Sequence, residues 1–144
     1  RFLELRRSKS RNVIEHNKKT GSDIRPIVMV VDEWADLMMQ DKGLELPLCK
    51  LAQKGRAAGV SIVLATQRPS VKVISGLIKA NFLGRISMRV ANSVDSRIVL
   101  DRMGAEKLSE VGTGIFIGLD QRARIFKSPF VKDIPQFLKN NFDK

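Results

Sequence analysis

Ile27-Val28-Met29-Val30-Val31-Asp32-Glu33 is the stretch whose reading decides the fold. Five consecutive apolar residues, β-branched apart from Met29, predict a central strand covered on both faces. The strand ends in two adjacent carboxylates. In open α/β sheets the carboxyl ends of the strands face the crevice where ligands sit. A first acid there can hold Mg²⁺ through a water, and the next can orient or deprotonate an attacking water. Taken alone, the stretch is as readily a solvated strand end.

The neighbouring sequence repeats the theme. Val60-Ser61-Ile62-Val63-Leu64-Ala65 reads as a second buried strand, stopped by Pro69, and Thr66-Gln67-Arg68 stands at its end. An uncharged amide such as Gln67 at that place can hydrogen-bond a γ-phosphate or the attacking water. Two strands delivering polar groups to one edge weigh more than either alone. Between them, Leu44 to Ala58 carries apolar residues at helical spacing and ends at Gly55 and Gly59. Arg56 sits where this helix gives way to strand. A rigid guanidinium there could reach a phosphate in an adjoining subunit, although such a residue is more often a surface charge or a helix C-terminal cation.

Further along, Val73 to Asn81 reads as a helix and Arg85 to Val90 alternates as a third strand. Asp95 can cap a helix reaching Met103, closed by Gly104. Ile115 to Leu119 and Ala123 to Phe126 flank Asp120-Gln121 as a hairpin. Strand, helix, strand, helix, strand is the rhythm of a parallel α/β sheet. Residues 1–25 form a basic helical lead-in, 26–133 the core, and 134–144 a tail or linker.

Charge points to the partner. Twenty-six Lys and Arg against fifteen Asp and Glu give a net +11 and a pI near 10.3, a surplus that attracts polyanions, nucleic acid first and anionic membrane second. Arg1 to Arg25 alone holds eight basic and three acidic residues. A single cysteine, Cys49, excludes an internal disulfide and fits a reducing compartment as a buried thiol. One His and one Cys also make a zinc site from this chain improbable on chemical grounds. No apolar run approaches the ~20 residues that cross a bilayer.

Several long blocks, in order, resemble the FtsK/SpoIIIE family of DNA translocases over most of residues 11 to 133. They are Asp32-Glu33-Trp34-Ala35-Asp36-Leu37-Met38-Met39, Leu51 to Gly59, Ala65 to Val71, Ile74 to Asn81, and Asp95-Ser96-Arg97 to Gly104-Ala105-Glu106. Arg11-Asn12-Val13-Ile14 with Asn17 resembles the family's segment upstream of the acid pair. The resemblance implies a RecA-like P-loop NTPase core, a mostly parallel sheet with flanking helices and a C-terminal β-hairpin. It also implies a hexameric ring with double-stranded DNA in its pore and ATP and Mg²⁺ between subunits. On this resemblance Asp32 is the magnesium-linked acid, Glu33 the catalytic base and Gln67 the γ-phosphate sensor. Arg56 is the first choice for an arginine finger acting in trans, and Arg85 the second. Arg68, Lys79 and Arg97 resemble basic positions of the pore loops, where they would meet phosphates with little sequence information.

The chain departs from the family at instructive places. No Gly-x-x-x-x-Gly-Lys-Ser/Thr occurs, and only 31 residues precede Asp32. The expectation is therefore a half-site, inactive toward ATP by itself, that belongs to a longer protein working at the cytoplasmic side of a membrane anchor absent here. Ser93 stands where a pore lysine is expected, Ser61 where a histidine is usual, and Ile125 to Pro129 differs from the usual approach to Phe130-Val131. Two other readings stay open: a conjugative coupling ATPase of the same superfamily, and a non-catalytic basic DNA-binding module.

Overall fold

The computed structural model describes residues 1–142, and they form two compact units that divide between Leu83 and Gly84. Of the tail or linker expected over 134–144, residues 143–144 lie outside the described residues.

The first unit opens on two helices, α1 (Phe2–Arg7) and α2 (Val13–Thr20), rather than one continuous lead-in. The break has a local cause. Asn12 takes an extended backbone and its side chain accepts from the Glu15 N–H, starting a new helix, which Gly21 closes in the left-handed conformation at φ 70°. The Val13 N–H donates to Ala57 O at 3.0 Å, and the Arg1 guanidinium donates to Ala58 O at 2.8 Å, so the starts of α1 and α2 are both tied to the turn ahead of the second strand.

Strands β1 (Ile27–Val31) and β2 (Val60–Leu64) pair in parallel, Ile27 opposite Val60 through Val31 opposite Leu64. The crossover between them holds α3 (Trp34–Gln40), a single 3-10 turn, and α4 (Glu45–Gly55); α5 (Gly76–Asn81) follows β2. Pro47 falls in the first turn of α4, where a missing N–H costs nothing. The core of this unit is Trp34, Met38, Leu48, Cys49 and Ile78, with Met29, Val31, Ile62 and Leu64 packed against it from the sheet. The indole N–H of Trp34 donates to Val73 O at 3.0 Å, which satisfies the one polar atom of the largest core side chain.

Met29 and Val31 of β1 face the helices, and α3, α4 and α5 all contribute to the core on that side. Within this chain Val28 and Val30 on the other face are each 65% exposed, and Val63 on β2 is 50% exposed.

The second unit holds β3 (Arg85–Ser87), α6 (Ser93–Leu100), a 3-10 turn, β4 (Thr113–Ile117), β5 (Ala123–Lys127) and α7 (Ile134–Phe142). The expected hairpin is β4–β5, antiparallel with Ile117 opposite Ala123. The third strand does not extend the parallel pair. It is three residues long and runs antiparallel to β4, Arg85 opposite Ile117 and Ser87 opposite Ile115. An alternating pattern specifies a half-buried strand but carries no information on the direction of its partner. The core here is Leu100, Ala105, Leu108, Ile115 and Ile117. Gly114 admits the ring of Phe126 from β5: a Cβ built there would lie 2.5 Å from it.

Candidate active site

Two backbone hydrogen bonds carry the alignment of β1 and β2 past the ends of the ladder. The Ala65 N–H donates to Val31 O and the Trp34 N–H donates to Ala65 O, both at 2.8 Å. The strand ends are thereby locked side by side, and Glu33 stands level with Thr66.

Glu33 is the N-cap of α3, a place where shorter side chains are preferred. Its Oε1 accepts from the Ala35 N–H at 3.0 Å and from the Thr66 hydroxyl at 2.5 Å. Its Oε2 accepts from the Gln67 N–H at 2.9 Å. The Thr66 hydroxyl in turn accepts from the Arg68 N–H at 3.1 Å. The Thr66 hydrogen bond, then that from Gln67, hold the Glu33 carboxyl below the usual glutamate range, and the Ala35 N–H and the Arg68 charge add to the effect against the opposing cost of burial. Glu33 is thus an ionised, oriented carboxylate at the carboxyl end of a parallel sheet.

Asp32 beside it is exposed and makes no hydrogen bond or ion pair among the described residues. Three or more His, Cys, Asp or Glu side chains nowhere come together among the described residues as a metal cage. A lone accessible carboxylate is the donor set that suits magnesium, which is held by one or two carboxylates with substrate phosphates and waters supplying the rest. Gln67 is exposed at the same edge, and Arg68 is exposed beside it with its guanidinium 4.0 Å from Met39 Sδ. Asp32, Glu33 and Gln67 thus stand at one sheet edge, and Arg68, expected in a pore loop, lies beside them.

Arg56 does not join them. It is the exposed C-cap of α4, four residues ahead of β2, and so belongs to the opposite end of the parallel pair. A five-residue strand separates the two ends by about 16 Å. Lys79 lies partly buried in the last turn of α5, in the same unit. Arg85 and Arg97 lie in the second unit. The Arg85 guanidinium donates to Val99 O at 3.2 Å, to Asp101 and to Gln121 Oε1, with its side chain only 12% exposed. Arg97 is exposed on α6, whose N-cap is Asn92 rather than Asp95; Asn92 Oδ1 accepts from the Val94 and Asp95 N–H groups at 2.9 Å.

Thr66 was not singled out in the sequence as a site residue. The signal was available: in a parallel pair whose register sets Val31 against Leu64, the hydroxyl two residues beyond β2 falls opposite the acid two residues beyond β1.

Comparison with known proteins identifies the family and the fold. The model of the FtsK/SpoIIIE family matches residues 5–71, a span that includes Asp32, Glu33, Arg56, Thr66, Gln67 and Arg68. The chain is 56% identical over 92 residues to DNA translocase FtsK 2 of Neisseria meningitidis, covering 63% of this chain and 9% of that protein. It is 40% identical over 151 aligned positions to DNA translocase FtsK of Campylobacter jejuni, covering 97% of this chain and 16% of that protein. The chain thus spans less than a fifth of the length of these relatives. Among solved structures, the pCW3 conjugation coupling protein TcpA in its monomer form with ATPgS superposes with a TM-score of 0.84 at 36% identity, over 96% of this chain and 42% of that one. The α/β fold is that of P-loop ATPase motor domains, and the chain belongs to the FtsK/SpoIIIE family.

Proposed function

We propose that this chain supplies the water-activating half of the ATP site of a double-stranded DNA translocase, the activity named for its FtsK relatives. The observation that carries the reading is the apposition of Asp32-Glu33 with Thr66-Gln67 at the carboxyl ends of two hydrogen-bonded parallel strands. Glu33, ionised and oriented, is the general base toward the attacking water. The exposed amide of Gln67 meets the γ-phosphate or that water. Asp32 is the residue that would hold a magnesium ion, whose charge would help neutralise the phosphates.

Arg56, exposed and remote from the Glu33 end of its own sheet, is favoured as the guanidinium offered to a neighbouring subunit. The Arg85 guanidinium is engaged within its own unit. Arg68, Lys79 and Arg97 are the basic groups assigned to duplex phosphates in the pore of a hexameric ring. No described helix is long and apolar enough to cross a membrane. The similarity to a conjugation coupling protein supports a second reading, transfer of DNA between cells by the same motor chemistry.

The test is Glu33→Gln in the full-length translocase. ATP binding stays within about two-fold while DNA-stimulated hydrolysis falls by roughly a hundred-fold or more, the usual contribution of a positioned base. Turnover at the parent rate would show that the base lies elsewhere.

A further inference from the structure

We infer that Thr66 is a positioning residue for this site, its hydroxyl holding the Glu33 carboxylate in place and tying it to the backbone segment that carries Gln67. The inference rests on Glu33 being the base.

The geometry is specific. A threonine hydroxyl has one proton to give and lone pairs to receive with. Here the proton goes to Glu33 Oε1 at 2.5 Å, and a lone pair accepts the Arg68 N–H at 3.1 Å. Rotation of the hydroxyl about its bond is thereby restrained from both sides. The same carboxylate takes the Gln67 N–H on its other oxygen. Glu33 is thus bound at both oxygens by consecutive residues of the next strand's end, and any shift of Gln67 toward or away from a phosphate moves two of the donors that aim the base. The Ala35 N–H, from its own helix, supplies the third.

The chemistry sets a cost and a gain. Hydrogen bonds to the ionised form make a carboxylate a weaker base, while fixed orientation brings the acceptor and the water into line. Arg68, from the β2 side, favours the ionised form, and Asp32 and Asp36 flank Glu33 along its own chain. A hydroxyl that can be removed at nearly constant volume makes the trade measurable.

The experiment uses the full-length translocase with Thr66→Val, Thr66→Ala, Thr66→Ser and Glu33→Gln, each read by kcat and KM for DNA-stimulated ATP hydrolysis and by the urea unfolding midpoint. Thr66→Val and Thr66→Ala remove the donor. Their kcat falls roughly ten-fold, KM for ATP changes less than about three-fold, and the fall does not track the unfolding midpoint. Thr66→Ser retains the donor and restores the parent rate. A fall in kcat that follows the unfolding midpoint across the three Thr66 variants marks a purely structural role and overturns this inference. A parent-like kcat in Thr66→Val and Thr66→Ala, with Glu33→Gln inactive, overturns it as well and leaves the base in place. Glu33→Gln turning over normally overturns both.

Discussion

At the scale of single residues, cationic side chains with similar sequence settings part company in the fold. Arg56 and Arg85 both flank strands and both suggest a guanidinium aimed at phosphate. Arg56 is exposed, whereas Arg85 spends its donors on Val99 O, Asp101 and Gln121, with a buried Nε–H that has no partner among the described residues. Hydrogen bonds to a charged group contribute about 1.5–3 kcal/mol each, less where one partner is as open as Asp101. Arg85→Ala is therefore expected to lower stability by about 1–2 kcal/mol, read as a fall in the urea midpoint. A finger would behave oppositely: its loss would leave the midpoint untouched and abolish hydrolysis in the assembled ring. Glu33 was legible as an acid at a strand end because a buried strand advertises itself by composition. Its three donors were not, since two of them are backbone N–H groups and every residue but proline carries one.

At the scale of elements, helix starts were the least legible feature. Both asparagines that open helices, Asn12 and Asn92, sit in extended backbone and accept from N–H groups of the first turn. From the sequence the cap of α6 falls at Asp95, three positions after Asn92. Only the turn after Met88 decides which backbone is extended, and the structure assigns Asn92, with Asp95 receiving the Asn92 Nδ2–H at 3.0 Å. Asn92→Ala is expected to cost about 1 kcal/mol and Asp95→Ala clearly less, the two compared by urea unfolding with unchanged slope. Strand existence and the β4–β5 hairpin were legible from apolar runs and the polar Asp120-Gln121 turn. The direction of β3 was not, because an alternating strand of three residues suits either neighbour.

At the scale of the whole molecule, the surplus of eleven positive charges is the property that fits a polyanionic track. Each cation that neutralises a duplex phosphate contributes close to one unit to the slope of log affinity against log salt. Lys79→Ala in the full-length translocase is expected to weaken duplex binding about equally for all sequences and to lower that slope by roughly one unit. An unchanged slope would place Lys79 away from phosphate. What the sequence by itself determined is the α/β class, the acid pair, the glutamine at the next strand end and the family, because these reside in local composition and in ordered motifs. Only the tertiary structure decided that Thr66 and the Gln67 N–H grip Glu33, that Arg85 serves its own unit, and that β3 runs antiparallel to β4. Each of those depends on which residues the chain brings together across long separations, and residue identity alone does not encode register or partner direction.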